Sequence, residues 1–582
     1  MNQTSTKSGL LKKLSIGLGL ALAVSTIGVS SSSAKSVPSA KKAINLVVML
    51  GEKDAGWCTQ DSPGGGQIGA SNAVLETLTV MNKKGVMVPF LAKAISSSAD
   101  YKTWTIALRE GIKYTDGEDL NADNLISNAQ ALLGVLAFYK GGGPTASLPA
   151  IAWQGAFEAP GMANLKKIGA ALAKGTPATQ IPEVGILLKA VAKGIVKVDA
   201  YTVQFNLANP RPNFMYNLWT AGRVRLMSTK SLLSKSCGTT EAVGTGPFMI
   251  KSKGVDQFTT ELVKNPNYWR KDKAGVQLPY ADTLTFKSVL DGGQRVNALA
   301  KGQADMALFG ATSGQQLNRM KTMKNVKLYE GKRVTNWTLH FNTTKAPFNN
   351  QTAREAVSYA IDRASYAKVL CGGNCSAATS IAPLGHPLYA KGMITYNLAK
   401  AKEKVVAYKA ETGKDLDISA PISDTAESTA EATMLCTMLK AAGATCALMA
   451  PVTSTAYILR GFGLAQQMTE FNVLSGTFAE FGLLFLTDTD LELSGFRFTN
   501  PALAACFKKA QMVAVGTDKA PYAPCINELQ GKTIWNSLYT EGLFFATGTK
   551  VTGVTDTVLP EGGTRDGVQP GFGDWAYLTK TA

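Results

Sequence analysis

Between Trp104 and Leu125 the chain switches its pattern three times in one short stretch, W-T-I-A-L-R-E-G-I-K-Y-T-D-G-E-D-L-N-A-D-N-L. Trp104, Ile106 and Leu108 alternate with Thr105, Ala107 and Arg109, the period of a strand with one face buried. Gly111 interrupts the run. Ile112 and Tyr114 restart it, and Asp116-Gly117 supplies a hairpin-type turn. Asn121 then offers a helix N-cap, followed by an acidic first turn at Ala122-Asp123-Asn124 and an apolar run from Leu125 to Leu133. The stretch predicts strand, turn, strand and capped helix in succession. Strands alternating with helices, here and further on, indicate a doubly wound α/β lobe.

With 582 residues the chain is too long for one hydrophobic core, so several lobes are expected. Hydrophobic and charged fractions of 45% and 18% are those of a globular protein. The net charge of +18 points to an anionic surrounding, such as a cell envelope or acidic lipid. Nucleic acid is a poor fit, because Lys and Arg are scattered and no recognition helix or aromatic RNA-binding motif is present.

Residues 1–34 read as a signal peptide. Lys7, Lys12 and Lys13 form a basic start, Leu14 to Val29 an apolar core, and Ser32-Ser33-Ala34 a cleavage site. The apolar run is short for a membrane span, which needs ~20 residues. No Cys follows it, so a lipid anchor of the usual kind is not expected. The protein is expected outside the cytoplasmic membrane, periplasmic or on the cell surface. Eight Cys in an exported chain imply disulfides. Cys371 and Cys375, Cys436 and Cys446, and Cys506 and Cys525 form local candidate pairs; Cys58 and Cys237 remain and would tie distant segments.

Further strands are expected at Ile44–Leu50, in two runs within Val196–Leu207, at Trp337–Asn342 and at Thr445–Met449, and a buried one at Gly542–Gly548. Helices are expected from Gln294, closed by Gly302, and from Ser428, where Ser428-Thr-Ala-Glu431 has capping-box spacing. Residues 61–69 contain G-x-G-x-x-G. No strand runs directly into it, so it reads as a mobile loop rather than a dinucleotide site.

Several of these stretches carry one resemblance. Glu76-x-Leu78 and Gly85-x-x-x-Pro89-x-Leu91-Ala92 lead into Arg109-x-Gly111-Ile112-Lys113 and Asp116-Gly117-x-x-Leu120-x-Ala122-Asp123. Later come Gly244-Thr245-Gly246-Pro247-Phe248, Asn265-x-x-Tyr268-Trp269, and the helix from Pro347-Phe348 through Arg354 to Ala360-Ile361-Asp362-Arg363. Together these resemble the family 5 extracytoplasmic solute-binding proteins, the oligopeptide, dipeptide and nickel receptors of ABC importers. The resemblance implies an α/β, two-lobed periplasmic-binding-protein fold (type II, cluster C-like) with an extra subdomain in the first lobe. The expected division is lobe I from 44–75, 221–296 and 525–582, an extra subdomain at 76–220 with a helical insertion at 134–195, and lobe II at 297–524.

By the same resemblance Trp57, Trp337, Asn342, Thr477, Phe478 and Glu480 lie on segments facing the cleft between lobes. Peptide-binding relatives run here into G-W-x-x-D-Y, whose Asp meets the ligand's amine. This chain keeps Gly476 and has Glu480-Phe481, but Thr477 replaces the Trp. The implied partners are a solute or peptide ligand, a membrane permease and its ATPase, with the receptor itself a monomer. No cofactor, metal site or catalytic residue is read. Asp488, Asp490 and Glu492 alternate as a calcium site would, though a solvated loop accounts for them. His340 and His386, the two His, have no nucleophile beside them, and G-x-S-x-G is absent. The alternative is an exported hydrolase of peptides or glycosides using carboxylates brought together in space. A third reading is a receptor that signals without transport.

Overall fold

The computed structural model describes residues 43–581 apart from 54–56, 59–68, 220–221, 235–240, 255–257, 332–334, 385–388, 463–464 and 566–573, and apart from most of 134–192 and of 474–522. Strand β1 (Asn45–Leu50) opens the described chain. Strands β2 (Ala92–Ser97) and β3 (Thr103–Leu108) follow, then helix α1 (Ala122–Leu132), β4 (Ile195–Lys197) and β5 (Thr202–Asn206). The order β2-β3-β5-β4 makes an antiparallel sheet. On β3, Trp104, Ile106 and Leu108 are buried and their neighbours are half-exposed, as the alternation predicts. They pack with Leu120, Leu125 and Leu132 in one core. Burying such a side chain is worth roughly 1.5–3 kcal/mol.

Asn121 caps α1, its side chain accepting from Asn124 N at 3.0 Å. Asp116-Gly117 turns the chain, with Gly117 at φ +93°, where only glycine sits freely. The second run at Ile112–Tyr114 is reduced to one bridge, Lys113 to Asp119, because the reversal comes too soon for a ladder.

Strands β6 (Phe248–Lys253), β7 (Thr259–Lys264) and β8 (Thr283–Ser288) return the chain to β1. Helix α2 (Gly292–Ala300), capped by Asp291 and closed at Gly302, leads to β9 (Met306–Phe309). Helix α3 (Gly314–Lys321) leads to β10 (Val326–Glu330). Next come β11 (Thr335–Phe341), α4 (Gln351–Ala360), α5 (Arg363–Cys371) and β12 (Ser376–Ala377). Helix α6 (Leu398–Thr412), β13 (Asp417–Ala420), α7 (Ala426–Ala441), β14 (Thr445–Leu448), α8 (Ser454–Phe462) and β15 (Met468–Val473) follow. Strands β16 (Trp535–Glu541) and β17 (Phe544–Gly548) bring the chain home.

Two sheets dominate. A seven-stranded mixed sheet runs β6-β7-β8-β1-β9-β17-β10, with β1 parallel to β8 and β9. A four-stranded antiparallel sheet runs β12-β16-β11-β15. The chain passes between them at two adjacent places, from β10 to β11 and from β16 to β17. Glu330 pairs with Phe544 on one side of the crossing and Thr335 with Glu541 on the other. Gly331 N donates to Leu543 O at 2.8 Å within the crossing itself. The two sheets therefore meet at Gly331 and at Gly542-Leu543.

Helix α7 begins earlier than its capping box predicts. Thr425 accepts from Ser428 N at 3.2 Å and so serves as the cap. Ser428 Oγ instead accepts from Ser423 N at 3.0 Å. Glu431 is thereby released from a capping role and carried inward. Disulfides join Cys371 to Cys375, Cys436 to Cys446 and Cys506 to Cys525. Cys58 is also disulfide-bonded, and Cys237 lies outside the described residues.

Candidate functional site

Of the residues proposed from sequence, Trp57, Asn342 and Trp337 fall within the described residues, in different places. Trp57 is buried in the core of the seven-stranded sheet with Leu46, Val48 and Phe248, and Lys253 Nζ lies 4.8 Å above its ring. Asn342 is buried beyond the end of β11, where it donates to Gln466 O at 2.9 Å and accepts from Thr344. Trp337 is half-buried on β11 at the crossing. Thr477, Phe478 and Glu480 lie outside the described residues, as do the loop at 61–68, Asp488, Asp490, Glu492 and His386. His340 is buried on β11, stacked on Phe471 with centroids 3.9 Å apart; burial pushes its pKa down to about 3, so it is neutral.

Trp337 leads to a constellation that spacing in the sequence does not reveal. Glu431 from α7, Glu470 from β15 and Glu541 from β16 lie near one another: Glu541 raises the pKa of Glu431, and both raise that of Glu470. Glu541 Oε1 accepts from the Trp337 indole, and Oε2 accepts from Ala311 N at 2.9 Å. Glu431 Oε1 accepts from the Tyr539 hydroxyl at 2.9 Å, and the Thr312 side chain also bonds it. Ser313 donates to Glu427 at 3.0 Å. Three consecutive residues, Ala311, Thr312 and Ser313, thus each hold a different glutamate. They follow the C-terminal end of β9, where ligands of open α/β sheets bind.

Burial is the main cause of the acid behaviour here. It pushes Glu541 up to about 7, against the pull of its two N–H donors. It pushes Glu431 up to about 8, with Glu541 adding to the rise. Glu470 is raised well above the carboxylate range by burial and then by Glu431 and Glu541. Two polar atoms in this chamber are shut off from solvent without a hydrogen-bond partner, Glu470 Oε1 and the Tyr366 hydroxyl. Tyr366 is wholly buried on α5, and the charges of Glu470 and Glu431 reach its hydroxyl.

A second buried carboxylate sits elsewhere. Glu76 Oε1 accepts from Tyr268 at 2.7 Å, and Oε2 accepts from Thr245 at 2.8 Å and Trp269 Nε1 at 2.9 Å. Arg270 lies beside it and grips Asp574 with both terminal nitrogens, at 2.9 and 2.7 Å. Asn265 ties back to Gly246 O at 2.9 Å. A side chain on Gly244 or Gly246 would collide with the Val74 carbonyl, which explains the two glycines. The motifs E-x-L, G-T-G-P and N-x-x-Y-W therefore meet at one node of architecture.

The family described as "Bacterial extracellular solute-binding proteins, family 5 Middle" matches residues 86–475, most of the described chain. The chain belongs to this family. Among curated members, the glutathione-binding protein GsiB of Escherichia coli O1:K1 / APEC is 27% identical over 305 residues, 52% of this chain and 49% of that protein. GsiB of Shigella flexneri matches to the same extent. The chain spans about half the length of the curated relatives it matches. Solved structures agree in fold. A dipeptide-binding protein from Pseudoalteromonas sp. SM9913 in complex with Met-Leu superposes with a TM-score of 0.72 at 19% identity, covering 92% of this chain and 100% of that one. The periplasmic binding protein DppA from Helicobacter pylori, bound to the peptide STSA, gives 0.73 at 18%, with 93% and 99% covered. NikZ from Campylobacter jejuni in complex with Ni(L-His) gives 0.70 at 17%, with 92% and 99% covered. The family 5 motifs quoted above build the Glu76 node and the α4–α5 region rather than the acidic chamber. There Arg363 donates to Ser537 O at 2.7 Å, and Arg354 to Phe348 O at 2.7 Å.

Proposed function

We propose that this chain is the extracytoplasmic receptor of an ABC importer. It captures a peptide or other small polar solute by closing two lobes over it. The closed form then docks on a membrane permease, whose partner ATPase supplies the energy. Family membership across 86–475 is the observation that carries this reading. The fold supports it, since two sheets joined by two adjacent crossings form a hinge of the kind that closes on ligands. Ligand binds the closed form better and so shifts the population toward it.

On this reading residues 1–34 are removed on export, and the mature receptor works as a monomer at an anionic envelope. Trp337, Thr477, Phe478 and Glu480 line the cleft, and Trp57 and Asn342 support its walls. The named relatives are binding proteins, which does not favour the hydrolase alternative. The test is mass spectrometry of protein purified natively from its own cells. A stoichiometric small solute, released on denaturation and unaltered by incubation, is expected. Turnover of a peptide or glycoside panel would overturn the receptor reading. A Glu480→Ala variant binding the recovered solute with unchanged affinity would remove Glu480 from the site.

A further inference from the structure

The structure assigns the chamber between β11, β15, β16, α5 and α7 to a protonated nitrogen group of the solute, an ammonium, amidinium or guanidinium. This rests on the receptor reading and specifies the substrate class. Three observations carry it.

Glu431 and Glu541 are buried and Glu470 is half-buried beside them, and none of the three forms an ion pair among the described residues. Buried carboxylates left like this repel one another and keep their protons. Burial leaves such carboxylates uncompensated, whereas a cation with several N–H donors neutralises them and bonds their oxygens. Next, the chamber holds two waiting polar atoms. Glu470 Oε1 accepts only, and the Tyr366 hydroxyl accepts or donates. Each such atom calls for a partner, which a bound group can supply.

The walls are the third observation. Trp337 and Tyr539 lie nearly parallel with centroids 6.2 Å apart, and Tyr366 and Tyr539 with centroids 6.0 Å apart. Aromatic faces beside carboxylates attract organic cations more than hydrated metal ions. In keeping with this, no three His, Cys, Asp or Glu among the described residues are placed to hold a metal ion.

The test is thermal-shift and calorimetric titration of the full mature protein with a defined panel. Agmatine, arginine, spermidine and the dipeptide Arg-Ala form the cationic arm. N-acetylcitrullinamide and N-acetyl-Met-Ala amide, which carry no protonated nitrogen, form the uncharged arm, and calcium and magnesium chloride the metal arm. The expected result is stabilisation by members of the cationic arm only. Glu470→Gln then weakens that binding at least tenfold, and Tyr366→Phe several-fold. Circular dichroism and the melting temperature of the free variants establish that they fold. Binding of the two uncharged amides with no cationic preference, or of the metal ions alone, overturns the cation assignment and leaves the receptor reading intact. Cationic binding that Glu470→Gln and Tyr366→Phe both leave unchanged also overturns it. A protein stabilised by no member, and carrying no solute when purified natively, overturns both.

Discussion

Two buried carboxyl sites in this protein look alike by acidity and differ in everything else. Glu76 is pushed up to about 7 by burial, as Glu541 is. Yet Glu76 accepts three hydrogen bonds from two family motifs and has Arg270 beside it. The chamber gathers three carboxyl groups, no ion pair among the described residues, and two polar atoms with nothing to bond. A raised pKa thus marks burial, not purpose. Whether the hydrogen-bond account closes separates a structural joint from a place waiting for a ligand.

Breaking the joint is expected to cost the most. Arg270→Ala leaves Asp574 buried without its guanidinium and should lower unfolding free energy by about 4 kcal/mol, measured by urea denaturation. Glu76→Ala, measured near pH 6, strands the Tyr268, Thr245 and Trp269 donors and should cost about 3 kcal/mol. A loss below 1 kcal/mol in either variant would show that the node is not what holds these motifs together.

The chamber should answer through pH instead. Glu541 binds its proton more tightly folded than unfolded, so its contribution is intact below about pH 4.5 and is lost as pH rises through about 7. Between pH 5 and 8 the free protein should lose about 2.5 kcal/mol through this group alone, and Glu541→Gln should flatten the profile by that amount. Glu431 and Glu470 on neighbouring elements carry the same sign. Glu427 and the hydroxyls of Tyr366, Tyr457 and Tyr539 complete the titratable surroundings. Equal slopes for wild type and Glu541→Gln would erase the distinction between the two sites.

The smallest effect concerns the helix that delivers Glu431. Thr425→Ala removes the α7 cap and should cost about 1 kcal/mol in thermal unfolding. Ser428→Ala should cost less, the reverse of what the capping-box spacing predicts.

Those residues show where the sequence was legible. Asn121, Gly117 and the alternation of Trp104, Ile106 and Leu108 report local structure, and local rules read them correctly. The motifs around Glu76 carry Gly and Pro at close approaches, so they imprint fold in a form that survives at low identity. The chamber leaves no such print. Glu431 sits at capping-box spacing, Glu470 in an ordinary strand pattern, and Glu541 ends W-N-S-L-Y-T-E, a mixed run whose seven residues are all buried. Acids far apart in the chain meet only once helix α7 starts at Thr425 and β16 lies beside β11. Of the cleft residues read by resemblance, Trp57, Trp337 and Asn342 fall within the described residues and lie in different surroundings. Resemblance places segments, while the side chains of Trp57 and Asn342 were spent on packing.

The position of Glu541 carries a consequence of its own. Only Gly542 and Leu543 separate it from the strand that enters the other sheet. One of its oxygens is tethered to the amide of Ala311, beyond the end of β9 in that other sheet, and the opposite oxygen to the indole of Trp337 on its own. The carboxyl group therefore works as a gauge across the gap. Any rocking of one sheet against the other is felt there first as a stretched amide contact, and the fluorescence of Trp337 offers a way to watch it.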